Sequence, residues 1–110
     1  DLSAELGMGE IQGRDGVVAF IRSFLDDCGP TQHLLGNVII DVDGDSATSS
    51  AYVSDMHVGS GDKSALTFRT LGQYHDRWQK IDGAWRMCHR AKNNRATVGS
   101  IEALGRGLND

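Results

Sequence analysis

His33 opens the apolar run His33-Leu34-Leu35 and is the residue best placed to do chemistry. At the start of a strand with one face in a pocket, an imidazole titrates near neutrality and can take a proton from a bound molecule. The plainer role is a ring satisfied by a backbone carbonyl at a strand end, and spacing alone favours it. His57, His75 and His89 are scattered singly, without ligand spacing for a metal. Asp55 and His57 share one face by the period of two, yet they approach Gly59-Ser60-Gly61 and are expected to be solvated. Tyr52 points the opposite way, as a core or dimer-surface residue would. Further along, Tyr74, Asp76 and Trp78 share a face while Arg69, His75 and Arg77 share the other. Tyr52, Tyr74 and Asp76 are the candidate ligand contacts. Cross-strand packing, with Asp76 held by Arg86 or Arg90, is the competing account. Trp78 and Trp85 read as core anchors. Gly7-Met8-Gly9 lacks the strand-to-helix context of a phosphate loop, and no Ser-His-Asp or Cys-His arrangement can be assigned.

The elements that must position these residues centre on Ala65 to Arg90. Two β-rich runs flank Lys80-Ile81-Asp82-Gly83, and Asp-Gly between such runs signals a hairpin. The first run, Ala65 to Gln79, exceeds the usual strand of about 5–6 residues, so it should bend. Gly72 at its middle marks a bulge or a close approach of another backbone. Upstream, Val17, Phe20, Ile21, Phe24, Leu25 and Cys28 repeat at helical spacing and predict a helix over 14–28. Asp15 should accept its free amides, Gly29-Pro30 should close it, and its apolar face should lie on a sheet. Thr31 to Val42 reads as a strand that turns at Asp43-Gly44-Asp45 into its partner, Ser46 to Val58. Leu2 to Leu6 reads as a short strand, residues 59–64 as a flexible loop, and 95–110 as a short helix or frayed tail. A helix followed by hairpin-linked strands is the α+β pattern.

Length and charge narrow the classes. A chain of 110 residues suits one domain, 1–110. A net charge of −4 gives no footprint for nucleic acid or an anionic membrane. No apolar run approaches the roughly 20 residues that span a bilayer. Cys28 and Cys88, in separate elements, read as reduced, partly buried thiols, which favours a cytoplasmic protein.

Gly72, Tyr74, Asp76 and Trp78 at alternate positions, then Asp82-Gly83, Trp85-Arg86-Met87 and His89-Arg90, form a recognisable series. Gly13-Arg14-Asp15-Gly16-Val17, His33 with Asn37, and Asp43-Gly44-Asp45 with Ala47 extend it. Over about residues 1 to 92 this resembles the SnoaL-like branch of the nuclear-transport-factor-two-like superfamily, which is similar to scytalone dehydratase and hexachlorocyclohexane dehydrochlorinase. The resemblance implies a cone-shaped, strongly curved, mostly antiparallel α+β barrel whose mouth holds a small hydrophobic molecule. It implies a strand-borne histidine that takes or relays a proton, at the position of His33, which reverses the preference that spacing gave. In those enzymes the partner aspartate comes from an N-terminal helix. No residue here matches it, and those helices would precede Asp1, so the chain is expected to lack them. The implied activity is that of a cofactor-independent lyase or isomerase, without a metal, acting on a small cyclic substrate. The alternatives are a non-catalytic ligand-binding or assembly module, or a structural subunit resembling the small chain of aromatic-ring dioxygenases. One helix is thin cover for a bent sheet, so a homodimer is expected.

Overall fold

The protein is described by a computed structural model, covering residues 2–104. Six strands form one sheet in the order β2-β1-β6-β5-β4-β3. They are β1 (Ser3–Glu5), β2 (Glu10–Gln12), β3 (Thr31–Asp43), β4 (Ser46–Val58), β5 (Thr67–Ile81) and β6 (Ala84–Gly99), with one helix, α1 (Arg14–Leu25). The pairings are antiparallel except β1 with β6, which is parallel. The expected α+β architecture is present, as a mixed and curved sheet.

Turn chemistry sets the register. Asp82 and Gly83 both take positive φ, 52° and 82°, the backbone of a two-residue turn whose twist matches the strands it joins. The β3–β4 turn puts Gly44 at φ 61° in its first central position. Gly72 answers to both expectations for it. The ladder shifts register between Leu71 and Gly72, and a Cβ there would lie 2.7 Å from the Asn93 carbonyl oxygen. β6 carries the extra residues, both here and between Arg77 and Trp78. Bulges of this kind bend a strand and increase its twist. β3 shifts register between Gly36 and Ile39, with Asn37 at φ 51°.

Several boundaries differ from the sequence reading. α1 stops at Leu25, where the Asp26 amide donates to the Arg22 carbonyl, three residues before the expected end. Gly13 stands at its N-cap and no side chain caps it, so Asp15 does not play that part. The glycine-broken text after Leu6 contains a further strand, β2, and the 59–64 loop holds a 3-10 turn, Gly61–Lys63. The expected tail is largely strand: β6 runs on to Gly99, and a 3-10 turn follows at Ile101–Ala103. The last residues of that predicted tail, 105–110, lie outside the described residues.

The core is small. Phe68, Ala103 and Leu104 form its centre, with Phe24, Leu25, Cys28 and Leu66 packed against them. Cys28 donates its thiol hydrogen to the Val58 carbonyl at 3.3 Å, and burial pushes the thiol up. Both cysteines are free. Trp85, expected as an anchor, is exposed, while Trp78 is half-buried and donates its indole N–H to Ser49 Oγ at 2.9 Å. Only part of the apolar face of α1 meets the core; the remainder looks into a cavity.

Candidate active site

The cavity lies between α1 and the concave face of the sheet and holds about 450 Å³. Val17, Phe20, Ile21, Phe24 and Leu25 of α1 form its apolar wall. The opposite wall comes from β4, β5 and β6, and it is polar. Register explains the composition: Asp55 stands opposite Thr70, and Tyr74 opposite Lys92, all on one face of the sheet. His33 stands opposite Asp55 and so faces the same hollow from the edge strand.

A closed polar network fills this wall. The Asp55 carboxylate, 1% exposed, accepts from Lys92 Nζ at 2.5 Å and from the Thr70 amide at 3.1 Å. The Thr70 hydroxyl also donates to Asp55, and Lys92 Nζ lies 3.0 Å from Thr70 Oγ1. Beside it, Arg90 grips Asp76 with two bonds of 2.8 and 2.9 Å and stacks its guanidinium 3.8 Å over the Tyr74 ring. Burial alone would raise the Asp55 carboxyl, but the Lys92 and Thr70 bonds outweigh it and hold it below the usual carboxylate range. Burial pushes the Tyr74 phenol up, against the opposing effect of Arg90, so that hydroxyl stays protonated.

The two histidines of the site differ in freedom. His57 is 5% exposed, and its Nδ1 lies 3.2 Å from the Phe68 carbonyl. A carbonyl only accepts, so Nδ1 carries a hydrogen. His33 is exposed at the rim, 5.5 Å from the His57 ring and nearly perpendicular to it. Partial burial lowers the His33 pKa, with Asp55 pulling the other way. A neutral imidazole at the mouth of an apolar hollow is able to accept a proton.

His33, Asp55 and His57 each bring one donor atom to within 4.8 Å of the others, a spacing that a divalent cation could bridge. Lys92 already occupies the carboxylate, however, and an entering cation would meet its ammonium. The set therefore suits proton transfer better than metal binding.

Of the residues singled out by sequence, His33 and Tyr74 line the cavity. Asp76 lies just behind it, committed to Arg90, as the competing account had it. Tyr52 does not join them: it is 45% exposed on the outer face, beside a cleft it shares with Leu34 and Leu71. Asp55 and His57 correct the expectation of solvation, since both are buried. The overlooked signal was their phase, because Ala51, Val53, Asp55 and His57 continue a single buried face.

Comparison with known proteins agrees with this architecture. A family profile described as a SnoaL-like domain matches residues 1–91. No curated protein matches. Among solved structures, a Mycobacterium tuberculosis protein of unknown function is similar at 26% identity and TM-score 0.72, covering 86% of this chain and 53% of that one. The chain thus spans about half that protein's length. A hexachlorocyclohexane dehydrochlorinase of Novosphingobium barchaimii aligns at 14% identity and TM-score 0.76, covering 91% of this chain and 69% of its own. A proposed scytalone dehydratase of Novosphingobium aromaticivorans aligns at 24% identity and TM-score 0.72, covering 91% and 67%. At these identities the two enzymes share the fold. With the family profile spanning most of its length, the chain belongs to the SnoaL-like domain family.

Proposed function

We propose that this chain is a cofactor-independent lyase or isomerase of dehydratase or cyclase type, with His33 as general base toward a small hydrophobic cyclic molecule. One observation carries the reading: a neutral imidazole at the rim of a cavity with one apolar wall and one buried, charge-balanced wall. A base positioned within reach of a carbon acid contributes about 10²–10⁴ in rate. The apolar wall supplied by α1 suits a ring, and exclusion of water strengthens the polar contacts opposite. The dehydrochlorinase and dehydratase on the same fold make elimination a natural class to test first.

A specific observation favours the non-catalytic binding module as a second reading. The carboxylate nearest His33 is bound to Lys92 and Thr70, and does not hold the imidazole. The two readings separate in a proton-exchange assay. Loss of α-protons from a bicyclic ketone in D2O is followed by NMR for the wild type and for His33→Gln. The wild type should accelerate exchange and the variant should lose about 10²–10⁴ of that acceleration. Equal rates would remove His33 as base and leave binding as the function.

We further infer a homodimer through the outer face and a reducing, cytoplasmic setting. Leu34, Ile39, Tyr52, Met56, Leu71 and Val98 supply exposed apolar surface on that face, and exposed apolar surface favours pairing. The two free cysteines support the reducing compartment.

A further inference from the structure

We propose that Lys92 is the oxyanion-binding residue of this cavity, and that the site selects neutral substrates that develop negative charge on an oxygen as His33 takes a proton. The proposal rests on the reading of His33 as base and names the group that acts opposite it.

Lys92 has 15% of its side chain exposed and lines the cavity. An ammonium offers three N–H donors. Two point into the wall, toward Asp55 Oδ2 and Thr70 Oγ1, which leaves one for a ligand. The same contacts fix the side chain before any ligand arrives, and a donor held in place needs no reorganisation as charge develops. Arg90 is less available, since Nε and Nη2 are spent on Asp76 and its plane rests on Tyr74.

Charge balance selects the kind of ligand. Lys92 is matched by Asp55 and Arg90 by Asp76, so the wall is neutral at rest. A permanent anion would add an unbalanced charge to a low-dielectric site, which is costly. An oxyanion formed in place is matched by the imidazolium formed with it. In that step the substrate C–H bond breaks and its proton bonds to the His33 ring nitrogen. The C–H electron pair becomes a carbon–carbon double bond, and the carbonyl π pair moves to oxygen, which accepts from Lys92. Returning the proton elsewhere gives an isomer; loss of a neighbouring leaving group gives elimination.

The test uses 4-nitrophenol, whose ionised form has its own visible absorption band. Bound to the full chain, its phenolate-to-phenol ratio should exceed that of free probe at the same pH by at least about tenfold, one pKa unit. Lys92→Met should abolish the increase by removing the donor, and His33→Gln should diminish it by removing the imidazolium that matches the phenolate. Circular dichroism reports folding in parallel. If Lys92→Met does not fold, Lys92→Met/Asp55→Leu, which removes both charges, carries the same comparison. An unraised ratio in the wild type, an unchanged ratio without Lys92, or an unchanged ratio in His33→Gln would each overturn the proposal. If ketone exchange proves independent of His33 while probe ionisation still needs Lys92, the base assignment fails and the anion-binding role of Lys92 stands.

Discussion

The concave wall of the sheet and its edge strand β3 reverse the usual distribution of side chains. The wall buries Asp55 and Asp76 to 1% and 6% exposure, whereas β3 leaves Leu34, Ile40 and Val42 63%, 62% and 64% exposed. Large hydrophobic residues are ordinarily inside and carboxylates outside, unless the carboxylates are paired. In the wall every carboxylate has its cation, so burial there serves a polarised site. On β3, apolar side chains on both faces point to surfaces suited to covering. The buried polar network thus centres on β4, β5 and β6, and His33 brings the edge strand to it.

Removing one charge from the wall should break this contrast most severely. Lys92→Met strands the Asp55 carboxylate, and the loss of one partner of a buried pair costs about 3–5 kcal/mol. Removing both charges, as in Lys92→Met/Asp55→Leu, should recover most of that in denaturant unfolding. Retention of full stability by the single variant would show that the pair is hydrated.

Thr70→Val removes the hydroxyl bridging Asp55 and Lys92 and should cost about 1–3 kcal/mol. The pH dependence should follow the same network. The Asp55 carboxyl titrates below its ordinary range, so its contribution to stability is fully present above about pH 4 and is lost as pH falls through the lower folded value. Unfolding measured against pH should lose this acid dependence in the doubly neutral variant.

The proposed pairing is tested by Tyr52→Asp or Leu34→Asp on the outer face. Sedimentation should show the wild type as a dimer and either variant shifted toward monomer. A wild-type monomer at micromolar concentration would contradict the pairing. The smallest effect is expected at Arg22–Asp26 on α1, an i,i+4 pair with 69% and 51% of its side chains exposed. Arg22→Ala should cost about 0.3–0.5 kcal/mol.

The elements legible in the sequence were those set by local chemistry. Asp82-Gly83 located the long hairpin, Gly72 its irregularity, and the apolar run after Gly29-Pro30 the strand that begins two residues before His33. What escaped was set by long-range register. Asp55 is buried because Thr70 and Lys92, 15 and 37 residues away, close over it. Lys92 faces the cavity because β6 carries extra residues. Alternation continued from Met87 would have aimed His89 and Ala91 inward, and the shift between Arg77 and Trp78 turns Arg90 and Lys92 there instead. The strand through 95–99 was obscured by its polar text, Asn93-Asn94-Arg95, of which the two asparagines pair with β5 and Arg95 is the extra residue of the bulge.

The most direct test of the account is the pH profile of ketone α-proton exchange. Because burial lowers the His33 pKa, the rate should rise with pH along an acid limb whose midpoint lies below the ordinary imidazole value of about 6.5, and the limb should vanish in His33→Gln. An identical limb in wild type and variant would contradict the assignment of His33 as base.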